Sequence, residues 1–265
     1  MPVPVVKHSV HGDVYLGCNH KLNLRALPLS NYVSPKQMSY PPVCSWWRNM
    51  DFGMLGNGPC TLNGQPFAGA GDCVIAYMLH QIMIWNAVAH AGTPVSFTDD
   101  QAIQTYSAIT GYVPGDPSTD NGTDPDTALN YWQQTPLFGH KIAGYVNLDI
   151  TNIDQLKFAI ATFGGIGFSF NVPAYIMTIP GGASWSYVAG ADITNQGGHQ
   201  VGIMDYGRNG FRENCWSTTN TFNPDFIGAF GMAAQAVVSE DWIKASGISP
   251  SGLDLTALLA DLAQN

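Results

Sequence analysis

Gly69-Ala70-Gly71-Asp72-Cys73-Val74-Ile75-Ala76-Tyr77-Met78-Leu79-His80-Gln81-Ile82-Met83-Ile84-Trp85 is the stretch that decides the fold. A glycine-rich turn gives way to a run that holds no Gly or Pro until about His90. Asp72 is a good N-cap residue and Gly92 supplies a C-terminal stop. Val74, Ile75, Tyr77, Met78, Leu79, Ile82, Met83, Ile84, Trp85 and Val88 cover most of the helical circumference, and a helix apolar nearly all round lies buried at the centre of a fold. The first residue of this predicted helix is a cysteine. A thiol in that place feels the positive end of the helix dipole and unpaired backbone N–H groups, which favour the thiolate. The same N–H groups can hold an oxyanion. A carboxylate beside the thiol opposes its ionisation. The reading adopted for Asp72 is therefore that of an N-cap whose charge is taken up by backbone N–H groups.

Outward from this helix, Thr98–Ile109 reads as a second, with Thr98 as cap and Asp99-Asp100 in the first turn. Asp126–Gln134 and Asn152–Phe163 read as a third and a fourth, the latter from the helical spacing of Ile153, Leu156, Ala159, Ile160 and Phe163. Beyond it the period falls toward two. Ile166–Val172, His199–Tyr206, Arg212–Trp216 and Gln235–Val238 are predicted strands. Helices first and strands second indicate an α+β fold, with a helical part packed on a mainly antiparallel sheet. Residues 1–40 form an irregular N-terminal arm, 41–250 the main domain and 251–265 a C-terminal tail. Leu253, Leu255, Leu258, Leu259 and Leu262 give that tail the pattern of a short amphipathic docking helix.

Composition narrows the function. Only 11% of the 265 residues are Asp, Glu, Lys or Arg, against roughly 25% in an average soluble domain. The balance is made up by neutral polar residues, 29 Gly and 17 Pro, while the apolar share is an ordinary 45%. That excludes a disordered chain and a charged helical array. A net charge of −9 argues against nucleic-acid binding. No apolar run approaches the roughly 20 residues that span a bilayer, and the first twenty residues lack the pattern of a secretory signal. These absences leave the location open and are consistent with a cytoplasmic protein. The five cysteines show no zinc-knuckle spacing, and no metal or organic cofactor is expected. Pairing of Cys44 with Cys60 requires an oxidising compartment.

Two further segments carry chemistry. In Gly197-Gly198-His199 the glycines let the chain turn sharply and bare one face of the imidazole. In Asn214-Cys215-Trp216-Ser217 an amide can orient that ring while an indole shields it from water. The order Cys73, His199, Asn214 is one that thiol catalysis uses. His80 lies about two helical turns along from Cys73, and a core histidine bonded to a carbonyl is the expectation for it.

On these residues the sequence resembles the papain-like cysteine peptidases, collinearly from about residue 41 to 243. Pro41-Pro42-Val43-Cys44-Ser45-Trp46-Trp47-Arg48 resembles that family's mature N-terminus. Phe97-Thr98-Asp99-Asp100-Gln101 resembles the start of its second helix. Asp120-Asn121-Gly122 resembles the strip lining its cleft. Gly198-His199-Gln200-Val201 through Asp205-Tyr206-Gly207, and Asn214-Cys215-Trp216-Ser217, resemble its histidine and asparagine motifs. A closer likeness is to a divergent branch of uncharacterised bacterial and bacteriophage proteins, carried by Phe52-Gly53-Met54-Leu55-Gly56-Asn57, Gly71-Asp72-Cys73-Val74-Ile75-Ala76 and Asp116-Pro117-Ser118-Thr119-Asp120-Asn121-Gly122.

The resemblance implies a helical lobe and an antiparallel sheet or barrel lobe with a cleft between them. It implies a hydrolase of peptide or isopeptide amides in which Cys73 attacks, His199 moves the proton and Asn214 orients His199. Asn121, Gly122, Gly198 and Trp216 would contact the substrate. The oxyanion donor is Asn57, or Gln65 if the insertion between Asn57 and Cys73 carries Asn57 away. Val74 stands where the family has Trp. These departures leave two other readings open: a catalytically inactive papain-fold structural or host-interaction protein of a bacteriophage virion, and another acyl chemistry on the same residues. The expected partner is a peptide or protein substrate, with no nucleic acid and no membrane. The low surface charge also suits assembly into a larger particle or oligomer.

Overall fold

Helix α1 spans Cys73–Ala89 in the computed structural model, which describes residues 1–21, 27–47, 50–89, 95–239, 242 and 254–264. The expected Gly92 stop lies outside the described residues. Every side chain from Cys73 to Trp85 is buried, as the all-round apolar pattern requires.

Before α1 the chain forms two small hairpins, β1 (Val5–His8) with β2 (Gly12–Tyr15) and β4 (Cys60–Leu62) with β5 (Gln65–Phe67), and a short strand β3 (Cys44–Ser45). After it come α2 (Asp99–Thr110), α3 (Pro125–Gln134), β6 (Ile142–Leu148) and α4 (Ile153–Phe163). The rest is β7 (Ile166–Pro173), β8 (Ser184–Trp185), β9 (Asn195–Gly207), β10 (Gly210–Cys215), β11 (Thr218–Phe222), α5 (Pro224–Phe230), β12 (Gly231–Ser239) and α6 (Thr256–Leu262). Local chemistry sets the helix ends. Thr98 and Gln101 form a reciprocal capping box on α2, which Gly111 closes at φ 76°. Asp124 caps α3 and Asn152 caps α4.

One eight-stranded sheet runs β6-β12-β7-β9-β10-β11-β8, with β3 added on β9. It is antiparallel except for the β11–β8 pair. Six helices on a mostly antiparallel sheet make an α+β fold. α1 packs on β9, and glycines let it approach closely. A Cβ on Gly167 would stand 2.8 Å from the Tyr77 ring of α1, and one on Gly202 would stand 3.3 Å from it. Tyr77 thus lies against bare backbone of two neighbouring strands.

Two sequence expectations need correction. Helices and strands interleave, because β6 lies between α3 and α4. Its burial leaves only Ala143 and Asn147 partly exposed, so Ile142–Leu148 never shows the alternation of a half-buried strand. The arm is not irregular either. It carries the β1–β2 hairpin and 3₁₀ turns at Leu29–Asn31 and Pro35–Gln37, and it puts Val14, Leu16, Cys18, Leu29 and Val33 into the core. In the tail, α6 buries Leu258 and Leu262 against β6. No helix among the described residues is long and apolar enough to cross a membrane.

Candidate active site

Three elements meet at the N-terminus of α1. Cys73 opens the helix, His199 projects from β9, and Asn214 and Cys215 end β10. A tight turn joins β10 to β11, with Trp216 and Ser217 at φ 47° and 61°. That left-handed pair, rare outside glycine, swings the Trp216 ring onto His199 at 4.8 Å between centroids. Cys73, His199, Asn214, Asn57 and Trp216 line one small space together with His80. The space is about 10 Å³, the room of about one water molecule.

The site is buried, and burial favours the neutral form of its groups. Cys73 is 1% exposed and His199 2%. Burial pushes the Cys73 thiol well above its ordinary value, nearby Cys18 adds to this, and backbone hydrogen bonds at Gln200 and Gly17 work the other way. Desolvation therefore overrides the helix-end field that favours thiolate. Burial also holds the His199 imidazolium down to about 3. Nε2 of His199 lies 3.2 Å from the Cys215 sulfur. Nδ1 of His199 and Oδ1 of Asn214 are buried without a hydrogen-bond partner among the described residues. The expected Asn214–His199 bond is thus not made, because Cys215 takes the ring nitrogen. Cys215 is the residue that sequence reasoning passed over: it stood inside a quoted motif, but nothing local marked which way its thiol points.

Asp72 also departs from expectation. Its backbone carbonyl accepts from Ile75 and Ala76, but neither carboxylate oxygen has a partner among the described residues. The side chain turns inward against Gly56, where a Cβ would stand 2.4 Å from Oδ2. Burial, with nearby Asp120 second, raises its pKa well above the carboxylate range. Asp72 is a buried acid and not a side-chain cap.

Residues 17–19 of the arm pair with the segments that flank the site. Thr123 N–H donates to the Gly17 carbonyl at 2.9 Å and Asn19 N–H to the Thr123 carbonyl at 3.0 Å, a parallel bridge between Cys18 and Thr123. On the other side Cys18 N–H donates to the Gly198 carbonyl at 3.1 Å. The Asn19 amide donates to the Asn121 carbonyl. Glycines make the contact possible. A Cβ on Gly17 would lie 1.8 Å from the Gly71 carbonyl oxygen, one on Gly122 would lie 2.1 Å from that of Gly17, and one on Gly198 would lie 2.1 Å from that of Cys18. Asn121, Gly122 and Gly198, expected to contact a substrate, hold residues 17–19 of the arm.

No family model matches the sequence, and no curated protein does. Among solved structures the chain is similar to xylellain, a cysteine protease from Xylella fastidiosa, at 14% identity over 84% of this chain and 96% of that one, with a TM-score of 0.59. It is similar to proCathepsin B S9 from Trypanosoma congolense at 12% identity over 85% and 86%, with a TM-score of 0.57. Digestive procathepsin L 3 of the Tenebrio molitor larval midgut matches at 15% identity over 84% and 77%, with a TM-score of 0.54. The fold is papain-like.

Within this papain-like fold the insertion before Cys73 closes on itself. The chain leaves at Gly58, runs through β4 and β5, and returns at Gly69, where a Cβ would stand 2.8 Å from Gly58 backbone. Ala70 N–H then reaches the Gly56 carbonyl at 2.8 Å, so Asn57 stays beside the helix start. Gln65 is exposed on β5 and does not line the cavity. The Asn57 amide nitrogen donates to the carbonyls of Tyr15 and Ala70 at 3.1 and 3.2 Å, and its oxygen accepts from the Trp216 indole at 3.0 Å. His80 bonds the Phe52 carbonyl at 3.0 Å and is held down to about 4 by burial. Cys44 and Cys60 form no disulfide with each other.

Proposed function

We propose that the chain is a thiol hydrolase of peptide or isopeptide amides whose cleft is plugged by its own arm. One observation carries this reading. Cys73, His199 and Trp216 line one small buried space, and backbone 17–19 runs beside it as an extended peptide would.

In this reading each group has a role. His199 Nδ1 accepts the Cys73 proton, and the thiolate attacks the amide carbon. The Cys73 backbone N–H and the Asn57 amide stabilise the oxyanion. The imidazolium then returns the proton to the leaving nitrogen, and water releases the acyl group by the reverse route. Asn57 now gives one N–H to Tyr15 of β2, so departure of the arm frees that donor for the oxyanion. Departure also admits water, which draws the Cys73 thiol down and the His199 imidazolium up, toward the ion pair that attack requires. Asn214, whose oxygen lacks a partner, is the group that takes over Nε2–H of His199.

A second reading, an inactive papain-fold scaffold, is favoured by the neutral Cys73 and His199. One experiment divides the two. A Gly17→Ala chain, whose Cβ cannot fit against Gly71, is treated at pH 6 with an epoxide thiol inhibitor and its adducts are mapped. The hydrolase reading expects labelling of Cys73 ahead of the other thiols, lost in His199→Ala, together with cleavage of a peptide mixture that Cys73→Ala abolishes. Equal slow labelling of all five cysteines would refute it.

A further inference from the structure

One buried carboxylate ties three segments together beside the candidate nucleophile. Asp120 is 4% exposed, and Tyr106 of α2 is fully buried. The Asp120 carboxylate receives the Gly71 N–H at 3.2 Å on Oδ1 and 3.0 Å on Oδ2. Its Oδ1 also receives the Tyr106 hydroxyl at 2.7 Å. The Tyr106 oxygen accepts in turn from the Gly122 N–H at 2.8 Å. A chain of hydrogen bonds therefore runs from the turn before Cys73, through a carboxylate and a phenol, to the strip at residues 121–123.

The chemistry of the links explains why these residue types stand here. Two donors converge on Asp120, and an ionised carboxyl is a group that only accepts. An amide in its place would turn N–H groups toward Gly71 or Tyr106. Burial, with the bond to Asp120 second, pushes the Tyr106 phenol well above its ordinary value. The hydroxyl therefore keeps its proton and remains a donor to Asp120. Donation to a charged partner makes its oxygen a better acceptor for Gly122, because linked hydrogen bonds polarise one another.

Both ends of this chain belong to the candidate site. Gly71 lies two residues before Cys73, and a Cβ on it would stand 3.0 Å from Asp120 Oδ1. At the other end Gly122, at φ 66°, is fixed from behind by Tyr106, while Thr123 N–H donates to the Gly17 carbonyl in front. Neither Asp120 nor Tyr106 lines the space shared by Cys73 and His199. Whatever they contribute to that site passes through the backbone they hold.

We propose that Asp120, acting through Tyr106, is a positioning residue of the site: it holds the Cys73 turn and the strip 121–123 at one spacing, and so sets how an extended peptide lies across Cys73. The consequence for substrate rests on the hydrolase reading, and the spacing itself does not.

Two shape-keeping changes test this on the full chain. Tyr106→Phe keeps the ring and removes the hydroxyl. Asp120→Asn keeps the outline and removes one acceptor. Amide exchange is followed at Gly71 and Gly122, with α4 as the control for global stability. In Tyr106→Phe, exchange at Gly122 rises on the order of ten- to a hundredfold, while Gly71 and α4 stay within about twofold. Asp120→Asn, which reaches Gly122 only through Tyr106, speeds exchange at both glycines. The double variant exceeds the larger single effect at Gly122 by no more than about twofold, since both changes break one chain of bonds.

The second readout is inactivation of the Gly17→Ala chain by a peptidyl epoxide, whose backbone can pair with the strip. Tyr106→Phe raises the half-saturating concentration about tenfold and leaves the maximal rate of Cys73 adduct formation unchanged. Asp120→Asn lowers the maximal rate as well. A loss of stability alone does not separate the two quantities in this way. Unchanged exchange at Gly122 in Tyr106→Phe, additive effects in the double variant, a rise shared equally by α4, or equal loss of maximal rate in both single variants would each overturn the proposal. If no chain takes the epoxide at Cys73, the hydrolase reading fails, and exchange at Gly71 and Gly122 still decides whether Asp120 sets the spacing.

Discussion

Asp72 precedes the candidate nucleophile, and a charge there would oppose thiolate formation. The fold disfavours that charge by burying the carboxyl against Gly56 and near Asp120, an effect the Asn57 amide opposes only in part. Asp120 is placed differently: its carboxylate receives the Gly71 N–H at 3.0 Å and the Tyr106 hydroxyl at 2.7 Å. Asp72 is therefore the acid that burial keeps protonated. Its folded-state pKa lies above the ordinary 3.8, so its contribution to stability is greatest below that value and is lost as pH rises. Asp72→Asn keeps the shape and cannot ionise. In urea unfolding at pH 8 the variant is more stable than the parent by at least about 1 kcal/mol, and at pH 4 the two converge. An Asn variant weaker at both pH values would mean that the carboxylate has a stabilising partner.

At the scale of elements, the distance between Cys73 and His199 is set by how closely α1 lies on the sheet. Gly167 and Gly202 set it, because their backbones receive the Tyr77 ring. Gly167→Ala puts a methyl 2.8 Å from that ring and 2.5 Å from the Gln200 amide. The expected cost is about 1–3 kcal/mol of stability, read as an earlier urea midpoint, together with slower adduct formation at Cys73 in the Gly17→Ala background. These contacts also mark what the sequence could reveal. α1, α2 and α4 were legible because caps, stops and apolar spacing are local. The grouping of Cys73, His199 and Asn214 was legible from motif order. β6 was not, since it is buried on both faces and has no period. The role of Gly17 was not legible either, because a glycine's need for space appears only when Gly71 and Gly122 are folded against it. Nor was the contact of His199 with Cys215 in place of Asn214, which depends on how β10 lies beside β9.

At the scale of the molecule, the buried titratable groups act against one another. Glu213 is fully buried on β10, receives the Asn220 amide at 2.7 Å, and is pushed by burial from 4.5 up to about 8. With Asp72 it favours low pH: as pH rises above the ordinary carboxylate values the unfolded chain loses protons that the fold retains, and stability falls. His8, His80 and His199 act in the opposite sense. Burial holds them at about 4, 4 and 3, so below 6.5 the unfolded chain gains protons that the fold refuses. His11 is lowered too, so between pH 4.5 and 6.5 four histidines oppose two acids, and stability climbs by about one to two protons' worth, ~1.4–2.8 kcal/mol per pH unit. Above 6.5 the histidines are silent in both states, and the protons that the folded acids retain lower stability as pH rises. The melting temperature therefore peaks near pH 6.5. Glu213→Gln halves the alkaline slope and leaves the acid limb almost unchanged below pH 4.5, where the unfolded glutamate is already protonated. A melting temperature that climbs steadily from pH 6 to 9, or a Gln variant with the parent's alkaline slope, would mean that Glu213 is ionised in the fold and that the end of β10 beside Cys215 carries a charge.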